Sequence, residues 1–160
     1  MRDNSKIAVC AIIAAMYIVM TVGFAPVSYG MVQFRIAEIL NLMAFINPTY
    51  GIGVVVGCFI SNIFSDLGPI DWGVGTTATA LAVYCISKTR SLFVASLWPT
   101  VFSGTMVGLM LTYVYNTPLV LNIVSVAIGQ FVVMTCLGYP IFRYLLKNKR
   151  LMSVLHSEKS

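Results

Sequence analysis

Residues 29–76 read YGMVQFRIAEILNLMAFINPTYGIGVVVGCFISNIFSDLGPIDWGVGT, a nearly continuous apolar stretch in which charged side chains are rare. Its charged residues are Arg35, Glu38, Asp66 and Asp71. Prolines at positions 48 and 69 divide the stretch, and this punctuation predicts short apolar helices joined by tight turns. Ionisable groups within such helices are costly, and they usually face a cavity, a partner or a ligand.

The rest of the chain has the same character. Of its 160 residues, 59% are hydrophobic and 9% are charged, and the mean hydropathy is +0.90. This composition is typical of integral membrane proteins and argues against nucleic-acid binding. At about 20 residues for each span, the length predicts about six transmembrane helices. We therefore expect a single all-α transmembrane domain over residues 1–160.

The apolar runs and the basic residues together predict an orientation. The predicted helices cover about residues 6–24, 31–47, 50–65, 72–86, 92–115 and 119–147. Nine of the ten Lys and Arg residues lie before or at the start of the first helix, in the loop after the fourth, or at and after the end of the sixth. Because positively charged short loops stay in the cytoplasm, we expect both termini to be cytoplasmic, with a tail over about residues 148–160.

Residues that build most catalytic and metal sites are scarce. The four cysteines are isolated from one another, and the one histidine, His156, lies in the polar tail. No phosphate-binding loop occurs, so the chain does not hydrolyse ATP by itself. We expect no enzyme, no metal and no cofactor.

Helix 2 carries the clearest candidate site. Phe34, Glu38 and Asn41 share a helical stripe, and Arg35 lies three residues before Glu38. Glu38 is placed to accept hydrogen bonds from a ligand or from Arg35. An Arg35–Glu38 ion pair that only fixes the helix is the structural alternative.

Other polar residues near the same side have two readings each. Asn62 and Asp66 lie one turn apart, and they either face a ligand or form a polar helix end. Asp71 either caps helix 4 or binds a ligand, and Trp72 either lies in an interfacial belt or stacks on a ring. Asn122 either lines the same cavity or bonds between helices.

Three pairs of small residues are spaced by four positions. These pairs are Ala11 and Ala15, Gly53 and Gly57, and Gly104 and Gly108. Such pairs let helices approach closely and by default indicate internal packing. The alanine pair on helix 1 also offers a flat surface to another subunit.

The block over residues 29–76, the six short helices and the cytoplasmic ends resemble the QueT family. Members of that family are substrate-capture (S) components of energy-coupling factor (ECF) importers, with queuosine precursors as inferred substrates. The resemblance implies an S-component-like bundle in the bacterial cell membrane, which binds its ligand from outside and joins a transmembrane coupling subunit and two ATPase subunits. It also implies that Ala11 and Ala15 meet the coupling subunit and that residues 25–30 form a lid.

The implied substrate suggests a division of roles. A 7-deazaguanine such as 7-aminomethyl-7-deazaguanine has ring N–H donors and a cationic arm, which call for carboxylates. We expect Glu38 at the guanine-like edge and Asp66 or Asp71 at the arm, with exchangeable roles. The expected donors to the ring carbonyl are Arg35, Gln33, Asn62 or Asn122, and the expected stacking surfaces are Phe34, Tyr29 or Trp72.

Three other functions remain open at this stage. A small proton-coupled cation exporter would use Glu38 as its switch and Arg35 as its partner. An S component for another flat vitamin, such as riboflavin, would keep the same architecture. In a purely structural subunit, Arg35 and Glu38 would pair and nothing would bind. The energy source distinguishes the exporter from an S component, because an exporter works alone on a proton gradient and an S component needs ATPase subunits.

Overall fold

The computed structural model of the chain describes residues 3–29, 34–150 and 153. The helices are α1 (Asp3–Gly23), α2 (Ala25–Ser28), a 3-10 helix (Ile36–Leu42), α3 (Met43–Ile46), α4 (Pro48–Ile63), α5 (Pro69–Lys88), α6 (Leu92–Tyr115), α7 (Leu119–Phe131), a π-helical segment (Val132–Gly138) and α8 (Tyr139–Lys147). Every regular element in these residues is helical, which confirms the all-α prediction.

Three of the described helices are long and apolar enough to cross a membrane. They are Asn4–Gly23, Leu92–Tyr115 and Leu119–Lys147, and two shorter apolar helices cover Ile36–Ile46 and Pro48–Ile63. The count of six spans and the cytoplasmic position of both termini stay predictions.

Local sequence explains where α4 and α6 begin or end. Asn47 is extended (φ −147°, ψ 122°), as the residue before a proline prefers, and its side chain accepts a hydrogen bond of 3.1 Å from the Thr49 amide. Pro48 then occupies the first helical position, where the missing N–H is not needed. At the other end of the bundle, Asn116 takes the left-handed conformation (φ 52°) that stops α6.

The last helix departs from the sequence prediction in its interior. The chain stays helical from Leu119 to Lys147, but its hydrogen-bonding pattern is π-helical over Val132–Gly138. These π-helical turns directly precede Pro140, where the proline removes a backbone donor and crowds the carbonyl one turn earlier.

The 3-10 helix lies at the centre of the bundle. Helix α1 packs along α4, α4 on α5, α5 on α6, and α6 on α7, while the 3-10 helix contacts α1, α4, α5, α6 and the π-helical segment. Around it, the main apolar core contains the fully buried Tyr17, Leu42, Tyr50, Ile86 and Met134. Elements from several sides of the bundle therefore converge on residues 36–42.

The predicted continuous α-helix over residues 31–47 is wrong. Arg35 is not helical (φ −84°, ψ 87°), and the segment that follows is a 3-10 helix and a single α-helical turn. A 3-10 helix repeats every three residues, so Glu38 and Asn41 project from the same side. Five elements enclose residues 36–42, and the side chains of this segment bond to them. These contacts determine its 3-10 geometry.

Glycines bring the helices of two pairs together. A Cβ added at Gly53 would lie 2.5 Å from the Cys10 carbonyl oxygen, and one at Gly57 would lie 2.8 Å from the Tyr17 Cβ. Gly104 and Gly108 face α7 in the same way. These two pairs are internal packing, as expected, whereas Ala11 and Ala15 are exposed on α1.

Replacing Gly53 by alanine tests the close approach of α1 and α4. We expect Gly53→Ala to destabilise the protein by about 1–3 kcal/mol, because the new methyl group meets a backbone carbonyl that cannot move aside. The matched control is Gly73→Ala in α5, where no atom lies within 4 Å of the added carbon. Thermal unfolding in detergent measures both variants, and equal melting temperatures would contradict the packing described here.

Candidate functional site

Eight buried polar side chains form one connected group around the 3-10 helix, which we call the polar cluster. Its members are Tyr17, Arg35, Glu38, Asn41, Cys58, Asn62, Asp71 and Thr79. They come from α1, the start and body of the 3-10 helix, α4 and α5. The cluster therefore joins the elements that pack about residues 36–42.

Glu38 is the most completely bonded charged group of the cluster. Its carboxylate accepts a hydrogen bond of 2.7 Å from the Tyr17 hydroxyl, one from the Asn41 amide, and a long one of 3.5 Å from Thr79. The side chain of Glu38 is buried, with 2% of its surface exposed. Its charge is thus met by donors from three elements of the protein itself.

Arg35 pairs with Asp71 and not with Glu38, the partner named in the structural alternative. Its Nη2 lies 3.8 Å from Asp71 Oδ2, and this is the ion pair that Arg35 makes among the described residues. The guanidinium also lies 5.5 Å from the centre of the Tyr29 ring and 3.9 Å from the sulfur of Cys58. The alternative of an Arg35–Glu38 ion pair is therefore wrong.

Asp71 does not cap α5, and that alternative is wrong as well. Gly68 holds the position before the helix with φ 66°, and the helix begins at Pro69. The Asp71 side chain is 1% exposed and turns inward, where the arginine attracts it across the bundle. Gly75 leaves room for it, since an added Cβ there would lie 2.9 Å from Asp71 Oδ1.

Several buried atoms of the cluster have no hydrogen-bond partner. They are Arg35 Nε, Asn41 Oδ1, Asn62 Oδ1 and both carboxylate oxygens of Asp71. Buried polar atoms are almost always bonded, so this group of atoms marks a place where a ligand would complete the bonding. Four of the five atoms are acceptors, which favours a ligand rich in N–H donors.

The charges of the cluster point to the same kind of ligand. Two carboxylates, Glu38 and Asp71, are buried with one guanidinium, that of Arg35. By formal charge, one negative charge is left over, and an unbalanced charge is costly in an apolar interior. A ligand with one positive charge would balance it.

A cavity of about 410 Å³ lies beside the cluster, and we call it the vestibule. Its lining residues are Ala25, Pro26, Tyr29, Phe64 and Asp66. Asp66 is exposed here, so it faces the vestibule and not the buried cluster. The vestibule offers a solvent-exposed carboxylate, and its Tyr29 contacts Arg35 of the cluster.

Tyr29 lies between the vestibule and the polar cluster. It lines the vestibule, its ring covers the Arg35 guanidinium, and its hydroxyl donates a hydrogen bond of 2.6 Å to the Ser61 carbonyl. Burial raises the pKa of the Tyr29 hydroxyl, and the nearby Arg35 charge offsets part of this rise. The hydroxyl is therefore protonated at neutral pH and remains a donor.

The structure brings together five of the residues that the sequence singled out. Arg35, Glu38, Asn41, Asn62 and Asp71 all belong to the polar cluster.

The other expected site residues lie elsewhere. Phe34 packs against the apolar core and Trp72 is half-buried next to Asp71. Asn122 joins the ends of α6 and α7, where its amide donates to Thr112 and Thr117 at 2.8 and 2.7 Å. Gln33 lies outside the described residues, as does Gly30 of the expected lid.

Sequence reasoning did not find three members of the cluster, Tyr17, Cys58 and Thr79. None of the three has a charged residue beside it in the sequence. Tyr17 and Thr79 reach Glu38 across 21 and 41 residues of chain. Among the described residues, no group of three or more potential metal ligands occurs.

Comparison with known proteins adds independent evidence. The sequence profile of the QueT transporter family matches residues 7–147. The queuosine precursor transporter QueT of Lactococcus lactis subsp. cremoris (strain MG1363) is 33% identical to the chain over 138 residues, covering 76% of this chain and 80% of that protein. No solved structure matches the chain. Both matches are to transporters, in agreement with the expectation of a protein that is not an enzyme.

Removing the Tyr17 hydroxyl tests the bonding of Glu38. We expect Tyr17→Phe to destabilise the protein by about 1–3 kcal/mol, because a buried carboxylate loses a donor that nothing replaces. Tyr113→Phe is the matched control, since Tyr113 is 78% exposed. If thermal unfolding shows the same loss for both variants, Tyr17 does not support Glu38.

Proposed function

Because the chain belongs to the QueT transporter family, we propose that it captures a queuosine precursor at the polar cluster. The observation that carries this proposal is the set of unpartnered, mostly accepting atoms beside an unbalanced negative charge. The 7-deazaguanine 7-aminomethyl-7-deazaguanine has the complementary chemistry, with ring and amino N–H donors and an ammonium arm.

We assign the main acceptor role to Asp71 and no longer to Glu38. Glu38 already holds donors from Tyr17, Asn41 and Thr79, whereas neither carboxylate oxygen of Asp71 has a hydrogen-bond partner. A charge-assisted hydrogen bond from the ligand to such a carboxylate contributes about 1.5–3 kcal/mol. Glu38 instead adds negative charge and fixes the 3-10 helix.

Neutral groups of the cluster complete the proposed contacts. The carbonyl oxygens of Asn41 and Asn62 are free to accept from the ring, and Arg35 Nε is free to donate to the ring carbonyl. The ring of Tyr29 covers Arg35 on the vestibule side and offers an aromatic face to a planar ligand. These groups match the donors and acceptors of a guanine-like edge.

The vestibule is the proposed entrance. Asp66 would attract a cationic ligand from solution, and Tyr29 would then move aside to admit it to Arg35 and Asp71. Tyr29 directly follows α2, so a shift of residues 25–29 would carry it. This motion corresponds to the lid expected for residues 25–30.

A binding panel with one acid changed at a time tests the proposed site. We expect Asp71→Asn to bind 7-aminomethyl-7-deazaguanine about tenfold or more weakly, a loss of about 1.4 kcal/mol, because the amide keeps the shape and removes the charge. The neutral 7-cyano compound should lose less. Calorimetric titration of the detergent-purified chain measures both ligands.

Asp66→Asn is the control, because Asp66 is exposed in the vestibule. We expect it to change equilibrium affinity by less than about twofold, as is usual for a solvent-screened charge. Equal affinity of Asp71→Asn and the parent chain for the ammonium compound would contradict the assignment.

We further propose that the chain acts as the S component of an ECF importer, with six spans and both termini in the cytoplasm. The energy would come from a transmembrane coupling subunit and two ATPases, since the sequence contains no phosphate-binding loop. Ala15 supports this proposal, because it is exposed and lies in a shallow apolar groove on α1. The groove has a volume of about 330 Å³ and is lined by Ile12, Ala15, Met16, Val19 and Met20.

A bulky residue at position 15 tests whether α1 contacts the coupling subunit, because binding and transport are measured separately. We expect Ala15→Trp to bind the ligand as the parent does but to lose most ATP-dependent uptake in proteoliposomes with the coupling module, because the indole blocks close helix contact. Val120→Trp, on exposed surface of α7, should keep uptake. Ligand movement driven by a proton gradient in the chain alone would contradict the ECF role and favour the exporter.

A further inference from the structure

A groove of about 430 Å³ runs along the outer surface of α4 and α5, apart from the polar cluster. Residues that define its length are Pro48, Ile52 and Val56 on α4, and Ala80, Tyr84 and Lys88 on α5. The two helices follow each other through a short turn and pack together, so they run in opposite directions. Pro48 therefore lies near Lys88, and Val56 lies near Ala80.

The groove is polar at one end and apolar at the other. Lys88 is exposed and places its ammonium 5.8 Å from the centre of the Tyr84 ring. No carboxylate of the described residues lies within ion-pair distance of this ammonium. From that end the groove continues for eight residues of each helix, about 12 Å, into wholly aliphatic surface at Val56 and Ala80.

This arrangement fits an amphiphile with an anionic head. The wall residues Ile52 and Tyr84 are 62% and 63% exposed, so the groove is open along its side. On a membrane protein, such an open apolar groove faces lipid chains, and a lysine at a helix end reaches toward the headgroups. The Lys88 ammonium at that end is complementary to a negatively charged headgroup.

We propose that the α4–α5 groove binds one acyl chain of an anionic glycerophospholipid, whose phosphate pairs with Lys88. The aliphatic end accepts the chain, and the ammonium selects the negative headgroup. The ligand-binding cluster faces the interior of the bundle, so this lipid site is separate from the proposed transport site.

Native mass spectrometry of the delipidated full chain tests the proposal with two lipids that carry identical acyl chains. We expect phosphatidylglycerol to be retained about fivefold better than phosphatidylcholine, because the anionic headgroup is attracted to the ammonium. Lys88→Gln should remove this preference. Ala80→Trp should weaken both lipids, because the indole fills the aliphatic end of the groove.

Arg90→Gln is the matched control, since Arg90 is exposed two residues away and does not line the groove. It should keep the preference for phosphatidylglycerol. Equal retention of the two lipids by the parent chain, or an equal loss in Arg90→Gln and Lys88→Gln, would overturn the proposal.

Photo-crosslinking of the unaltered chain decides the question even where a variant fails to fold. Phosphatidylglycerol with a diazirine in its acyl chain should label peptides that contain residues 48–56 and 80–88. Labelling confined to other helices, or labelling that excess unlabelled phosphatidylglycerol does not reduce, would exclude the groove as a specific site.

Discussion

Arg35 is 4% exposed inside an apolar bundle, and its buried charge must be neutralised by carboxylates from the surrounding elements. A lone buried charge is costly, and attraction to nearby carboxylates offsets that cost only when the geometry is close. Asp71 comes within 3.8 Å from α5, and Glu38 is anchored by Tyr17 of α1. These contacts require α1 and α5 to lie close to the 3-10 helix, and the absence of a side chain at Gly53 permits the approach of α1 to α4.

The two buried carboxylates near Arg35 differ in how completely the protein bonds them. Glu38 is bonded by the protein itself and holds the 3-10 helix in place, whereas Asp71 has charge but no donor. Functional sites often break the rule that buried polar groups are satisfied, because a ligand completes them. In the proposed function, the substrate supplies the donors and the positive charge that the cluster lacks.

Sequence patterns predicted the elements whose boundaries are local, such as α6, which extends from Leu92 to Tyr115 as expected. Sequence patterns did not predict features that depend on contacts between residues far apart in the chain. Over one or two turns, a stripe such as that of Glu38 and Asn41 does not separate an α-helix from a 3-10 helix. Asp71 forms an ion pair with Arg35, which lies 36 residues earlier in the chain, and does not cap its own helix. Tyr17 had no polar neighbour in the sequence to mark it.

We propose that the substrate binds at the polar cluster. An experimental structure of the chain with 7-aminomethyl-7-deazaguanine bound would show where the ligand lies. We expect the ring beside Arg35 and Asn62, with an N–H or ammonium group of the ligand within hydrogen-bonding distance of Asp71. A ligand bound only in the vestibule at Asp66, with the Arg35–Asp71 contact unchanged, would contradict it.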